Sequence, residues 1–178
     1  MRLTLVLIVL LVEYIALAVT AYIGYTYYAA VPRWLIDTLR GQLNSTVTGP
    51  LSIFFHNLVI MTADSVPFIG PASLALSLSA TGFILGVFMG YSGGGYLALA
   101  LAYLATVMLP HGILELASYA FATAGSIDAT RRLLSKRGGA LRSWAIHYAV
   151  AAALLLAAAY IEWYEIVALR PILHSIIH

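Results

Sequence analysis

Long apolar stretches separated by short polar breaks run the length of this chain, and the stretches predict helices of membrane-crossing length. Residues 3–30 carry one charge, Glu13. At about 1.5 Å per residue such a run exceeds a hydrocarbon core of about 30 Å. Arg2 ahead of it and Ala16-Leu17-Ala18 within it resemble a signal peptide and its cleavage site. Its apolar run far outlasts an h-region of about 7–15 residues, so it reads as a transmembrane helix. Residues 51–70 form a second segment that meets Asp64 and then Pro67, Gly70 and Pro71. We read it as a span with Asp64 near one end, a turn-side carboxylate at the interface; a re-entrant segment is the alternative. Three further spans follow over about 72–91, 96–124 and 144–169.

The connections fit this division. Residues 31–50 contain a short interfacial helix, Pro32 to Leu43, with Trp34, Leu35, Thr38, Leu39 and Leu43 on one side and Arg33, Asp37 and Arg40 on another. Gly93-Gly94-Gly95 makes a tight turn. Residues 125–143 read as a polar loop carrying Arg131, Arg132, Lys136, Arg137 and Arg142 against Asp128. The expectation is an all-α polytopic transmembrane bundle of about five spans. It forms a single domain over residues 1–178, with one span kinked at a mid-membrane proline, Pro110.

Composition agrees: 62% of residues are hydrophobic and 9% charged, against about 25% charged in a soluble domain. With no cysteine, disulfides and thiolate metal sites are excluded. A net charge of +2 is too small to suggest nucleic acid as a partner. Arg2 and the five basic residues of 125–143 oppose Arg33, Arg40 and Arg170 on the other side. The positive-inside rule then puts the N-terminus and the 125–143 loop in the cytoplasm and the C-terminus outside, in a plasma membrane. The sequon Asn44-Ser45-Thr46 would lie outside.

Small residues mark packing faces. Gly82, Gly86 and Gly90 make a double GxxxG that lets another backbone approach, in this chain or in a homodimer, towards which we lean. Ala145, Ala149, Ala153 and Ala157 make a similar face on the last span.

The candidate chemistry sits in the fourth span, whose only charge is Glu115. His111 precedes it by four residues and shares its helix face. Insertion scales put a central acidic group at roughly +2.5 to +3.5 kcal/mol, so such groups face a bundle interior and are held by partners. Pro110 lacks a donor N–H and should free the Thr106 carbonyl, and Gly112 leaves room beside the pair. Asn57 is the expected hydrogen-bond partner, with Glu13 as another. Three readings compete. His111 and Glu115 lock the bundle together; or they and Asp64 line one polar path of a small ion or solute transporter; or they contribute to an intramembrane metal-dependent enzyme, for which zinc needs a third ligand from His56, Asp64 or Glu13. No HExxH-type motif or nucleophile triad is present, so no metal or other cofactor is expected. Asn57 and Asp64 share a face, as do Glu13, Thr20 and Gly24. His56 and His147 read as locally satisfied, and Glu162, Glu165, His174 and His178 receive no role.

The string Leu109-Pro110-His111-Gly112-Ile113-Leu114-Glu115-Leu116 resembles the signature of the stage II sporulation protein M family of integral membrane proteins. Phe54-Phe55-His56-Asn57-Leu58, Gly70-Pro71 and Thr81-Gly82-Phe83-Ile84-Leu85-Gly86 look like the family's other recurring pieces, over about residues 51–156. Ala117-Ser118-Tyr119-Ala120-Phe121 departs from the small apolar continuation expected after the signature. The resemblance implies a helical membrane protein acting in membrane remodelling with envelope partners. It carries over His111, Gly112, Glu115 and Asn57 as characteristic positions and brings no catalytic mechanism. The expectation is a membrane scaffold or remodelling component without turnover, its partners being the lipid bilayer, a second copy and other membrane or envelope proteins.

Overall fold

The computed structural model describes residues 3–177, with the side chains of residues 43–46 and those from 169 onward outside the description. The Asn44-Ser45-Thr46 sequon, Arg170, His174 and His178 therefore lie outside the described residues. Every regular element among the described residues is helical: α1 (Leu3–Thr26), a 3-10 turn (Tyr28–Ala30), α2 (Arg33–Thr46), α3 (Pro50–Ser65), α4 (Gly70–Ser92), α5 (Gly95–Met108), α6 (Pro110–Leu134) and α7 (Ala140–Ile177). By length and composition α1, α4 and α7 could each cross a membrane, and α5 with α6 would make a fourth crossing if the bent pair counts as one.

The chain turns where its sequence removes helix-forming capacity. Leu109 is extended, with φ −62° and ψ 149°, because the ring of Pro110 disfavours the helical region for the residue before it. The axis bends by 65° at that point, so the expected kink is a full break between α5 and α6. Gly93 and Gly95 adopt φ of 73° and 71°, which gives the glycine turn its tightness.

Two boundaries differ from expectation. The second segment is helical only to Ser65, 16 residues from Pro50. At about 1.5 Å per residue that is roughly 24 Å. Val66, in extended conformation, ends the helix ahead of Pro67. The 125–143 segment is not one loop: α6 continues to Leu134 and α7 starts at Ala140. Arg132 pairs with Asp128 one turn back at 2.7 Å; Arg131, Arg132 and Arg142 sit on helix, and Lys136 and Arg137 in the turn between.

Glycine contacts fix how the helices run. A Cβ added at Gly82 would collide with Thr20 and the Leu17 carbonyl, at Gly86 with the Ala21 carbonyl, and at Gly90 with the Tyr28 ring. Both series ascend together, so α1 and α4 are parallel and in backbone contact. The glycine stripe is occupied inside the chain, and the lean towards a homodimer loses its surface. Because α1 and α4 run the same way, α3 returns the chain between them. Trp144 Nε1–H donates to the Ser65 carbonyl at 2.8 Å and Thr62 shares a 2.9 Å hydrogen bond with Tyr148, tying the C-terminal end of α3 to the N-terminal end of α7. One end of the bundle thus gathers the start of α1, the 66–69 turn and the α6–α7 turn. The opposite end gathers α2 and the glycine turn.

Candidate functional site

The break at Leu109 sets the site. Pro110 frees the Thr106 carbonyl, and Gly112 lies directly against that carbonyl, where any Cβ would collide. α6 can therefore start beside α5 and present His111, Glu115 and Tyr119 along one face.

The hydrogen bonds of this face differ from the expected ones. His111 Nδ1–H donates to Glu165 of α7 rather than to Asn57. Tyr119 donates its hydroxyl to Glu115 Oε1 at 2.8 Å, one turn along the same helix. Glu13, the other expected partner, sits elsewhere. The reason is the bend: it tips the start of α6 towards the far end of α7, where Glu162 and Glu165 project.

A cavity of about 390 Å3 opens beside this face, with His56 and Asn57 of α3, Thr81 of α4, Thr106 of α5, His111, Gly112, Glu115 and Tyr119 of α6 and Glu162 of α7 among its lining. His111, Gly112, Glu115 and Asn57 thus come together as the sequence suggested. Asp64 and Glu13 are not among the lining residues. The notion of a single path joining Asp64 to His111 and Glu115 is corrected by the fold: α3 places Asp64 two turns further from the cavity than Asn57. A second cavity of about 370 Å3 shares His56, Thr81 and Thr106 with the first and continues towards Leu39 and Phe88, beneath α2.

Asp64 lies beside the turn, as expected, but is 0% exposed, as is Glu13. The 66–69 turn folds back over the Asp64 main chain, and Gly70 packs on the Asp64 carbonyl and Ser126. Ser126 Oγ–H donates to the Val66 carbonyl at 2.7 Å, and Thr130 accepts the Phe68 amide at 2.7 Å. The turn is therefore pinned to α6, which seals Asp64 inside.

Sequence reasoning missed Glu162, Glu165, Tyr119 and the lining role of His56. One signal was present, two carboxylates three residues apart on an apolar helix, but nothing local indicated that the bend would aim His111 at them. His147 is buried and bonds the Ser143 carbonyl at 2.8 Å, a local contact as expected. Among the described residues no three His, Cys, Asp or Glu side chains converge to hold a metal ion. Comparison with known proteins finds no matching family model, no matching curated protein and no matching solved structure.

Proposed function

We propose that this chain is a multi-pass membrane protein that carries a small cationic solute through the cavity between its helices. One observation supports the reading: the interior of a bundle in lipid needs only close packing to hold together, yet this one keeps about 390 Å3 of space lined by two histidines, an asparagine and two glutamates. Glu115 and Glu162 supply carboxyl oxygens, His56 and Asn57 supply further hydrogen-bonding groups, and Glu165 occupies His111. A solute of one positive charge with a few N–H or hydration donors complements that lining. The adjoining cavity under α2 offers a route of entry from one end of the bundle. In a plasma membrane oriented by its basic residues, that end faces outside.

A scaffold or remodelling role, as the resemblance to the stage II sporulation protein M family implies, is the second reading. It is favoured by the His111–Glu165 hydrogen bond, which joins α6 to α7 as a lock between helices requires. Reconstitution into liposomes separates the two. The transport reading expects saturable uptake of sodium, potassium or methylammonium under an inside-negative potential, and the scaffold reading expects none above protein-free vesicles.

A further inference from the structure

The deepest polar groups of the bundle are not in the cavity. Glu13 of α1 and Asp64 of α3 are both fully buried, and none of their four carboxylate oxygens has a hydrogen-bond partner among the described residues. The two act on each other electrostatically. Ser73 of α4 is placed as a hydroxyl donor towards Asp64, short of a full hydrogen bond. Thr123 of α6, 1% exposed with its hydroxyl unpartnered, lies on the same helix face as Tyr119 and Ser126, which turns towards this region. The titratable groups that act on or feel the pair are Tyr14 beside Glu13 and Tyr119 of α6, with Glu115 behind Tyr119. None of them is cationic.

Two ionised carboxylates sealed from water with no cationic neighbour lose their hydration and repel each other, so the fold favours uptake of positive charge at the pair. We infer that the Glu13–Asp64 pair is a binding site for one positive charge drawn from solution, either a proton or a sodium ion, separate from the cavity beside His111. Tyr119 is coupled to both regions: its hydroxyl is bonded to Glu115 on the cavity side, and Glu13 and Asp64 both act on it electrostatically. A change of charge at the pair is therefore felt at the side chain that bonds Glu115. The site stands whether or not the cavity carries a solute.

The test uses the whole protein in detergent and needs no transport activity. Thermal unfolding, followed by tryptophan fluorescence, is measured for wild type, Glu13→Gln and Asp64→Asn while sodium replaces choline at constant ionic strength, and again across pH without sodium. Infrared difference spectra between wild type and Glu13→Gln are recorded under the same conditions. If the ion is sodium, the wild-type midpoint rises saturably with sodium and neither variant shows the rise. If it is a proton, sodium has no effect, wild type shows a protonated-carboxyl band that Glu13→Gln lacks, and wild-type minus variant stability depends on pH although Glu115, Tyr14 and Tyr119 are common to both. The inference is overturned if the midpoint ignores sodium and the difference spectrum shows only ionised carboxylate. It is equally overturned if both variants keep the full wild-type sodium and pH responses. Should one variant fail to fold, the other and the wild-type titrations still decide.

Discussion

His111 at the start of α6 is bonded through Nδ1 to Glu165 near the far end of α7, 54 positions away in sequence. Both side chains are largely buried, at 18% and 20% exposure. In a bundle without a water-driven attraction between helices, such a bond fixes where the bent segment points. A double-mutant cycle with His111→Ala and Glu165→Ala should give a coupling of about 1.5–3 kcal/mol, the range for a hydrogen bond to a charged group. Unfolding in mixed micelles measures it. Additivity within about 0.5 kcal/mol would mean that the bond holds nothing.

The α1–α4 interface gives a sharper contrast. Gly86→Leu drives a side chain into the Ala21 carbonyl and the Tyr25 amide, so it should destabilise by at least ~1–3 kcal/mol, the usual cost of overpacking. Gly41→Ala in α2 meets nothing within 4 Å. There the added methyl should stabilise the helix by roughly 0.5–1 kcal/mol by removing a flexible residue from a helix interior. Equal effects from the two substitutions, measured by thermal unfolding, would contradict the packing described.

Gly112→Ala probes the break itself. Its Cβ would meet the Thr106 carbonyl, the group Pro110 leaves without a helical donor. The expected result is a change in the α5–α6 bend, read as an altered distance between spin labels at exposed Leu101 and Leu133. An unchanged distance would show that the close approach at Gly112 does not set the angle.

Trp144→Phe keeps the aromatic bulk and removes the Nε1–H that binds the Ser65 carbonyl. The loss should be about 0.5–1.5 kcal/mol. It should appear first as faster amide exchange in residues 66–70, the turn fastened over Asp64. Faster exchange spread evenly along α7 would point to a general loosening instead.

Much of this architecture was readable because lipid imposes simple rules. Length and hydropathy mark α1, α4 and α7, and Pro110 marks the break, because these properties are local. Gly82, Gly86 and Gly90 announced a close contact, but the partner, α1, depends on which way the chain returns through α3. The continuation of α6 through Arg131 and Arg132 was hidden by charge, since a helix leaving the apolar region looks like a loop in hydropathy. At the site, His111, Glu115 and Asn57 were visible as polar residues in apolar surroundings. Glu165 as the partner of His111, and the burial of Asp64, follow from the 65° bend and from the turn at 66–69 folding onto α6. Neither relation has a trace in local spacing.

If Glu115 and Glu162 select a cation in the cavity, flux through matched variants will depend on both. Wild type, Glu115→Gln and Glu162→Gln are reconstituted at equal amounts after each has been shown to unfold cooperatively. Uptake of radiosodium, radiolabelled potassium and methylammonium is then followed under an inside-negative potential, with a trapped pH dye reporting protons. The expected result is saturable uptake of at least one of these cations by wild type and a loss of roughly tenfold or more in both variants. Uptake no faster than into empty vesicles for every cation, or uptake that both variants retain in full, would contradict it.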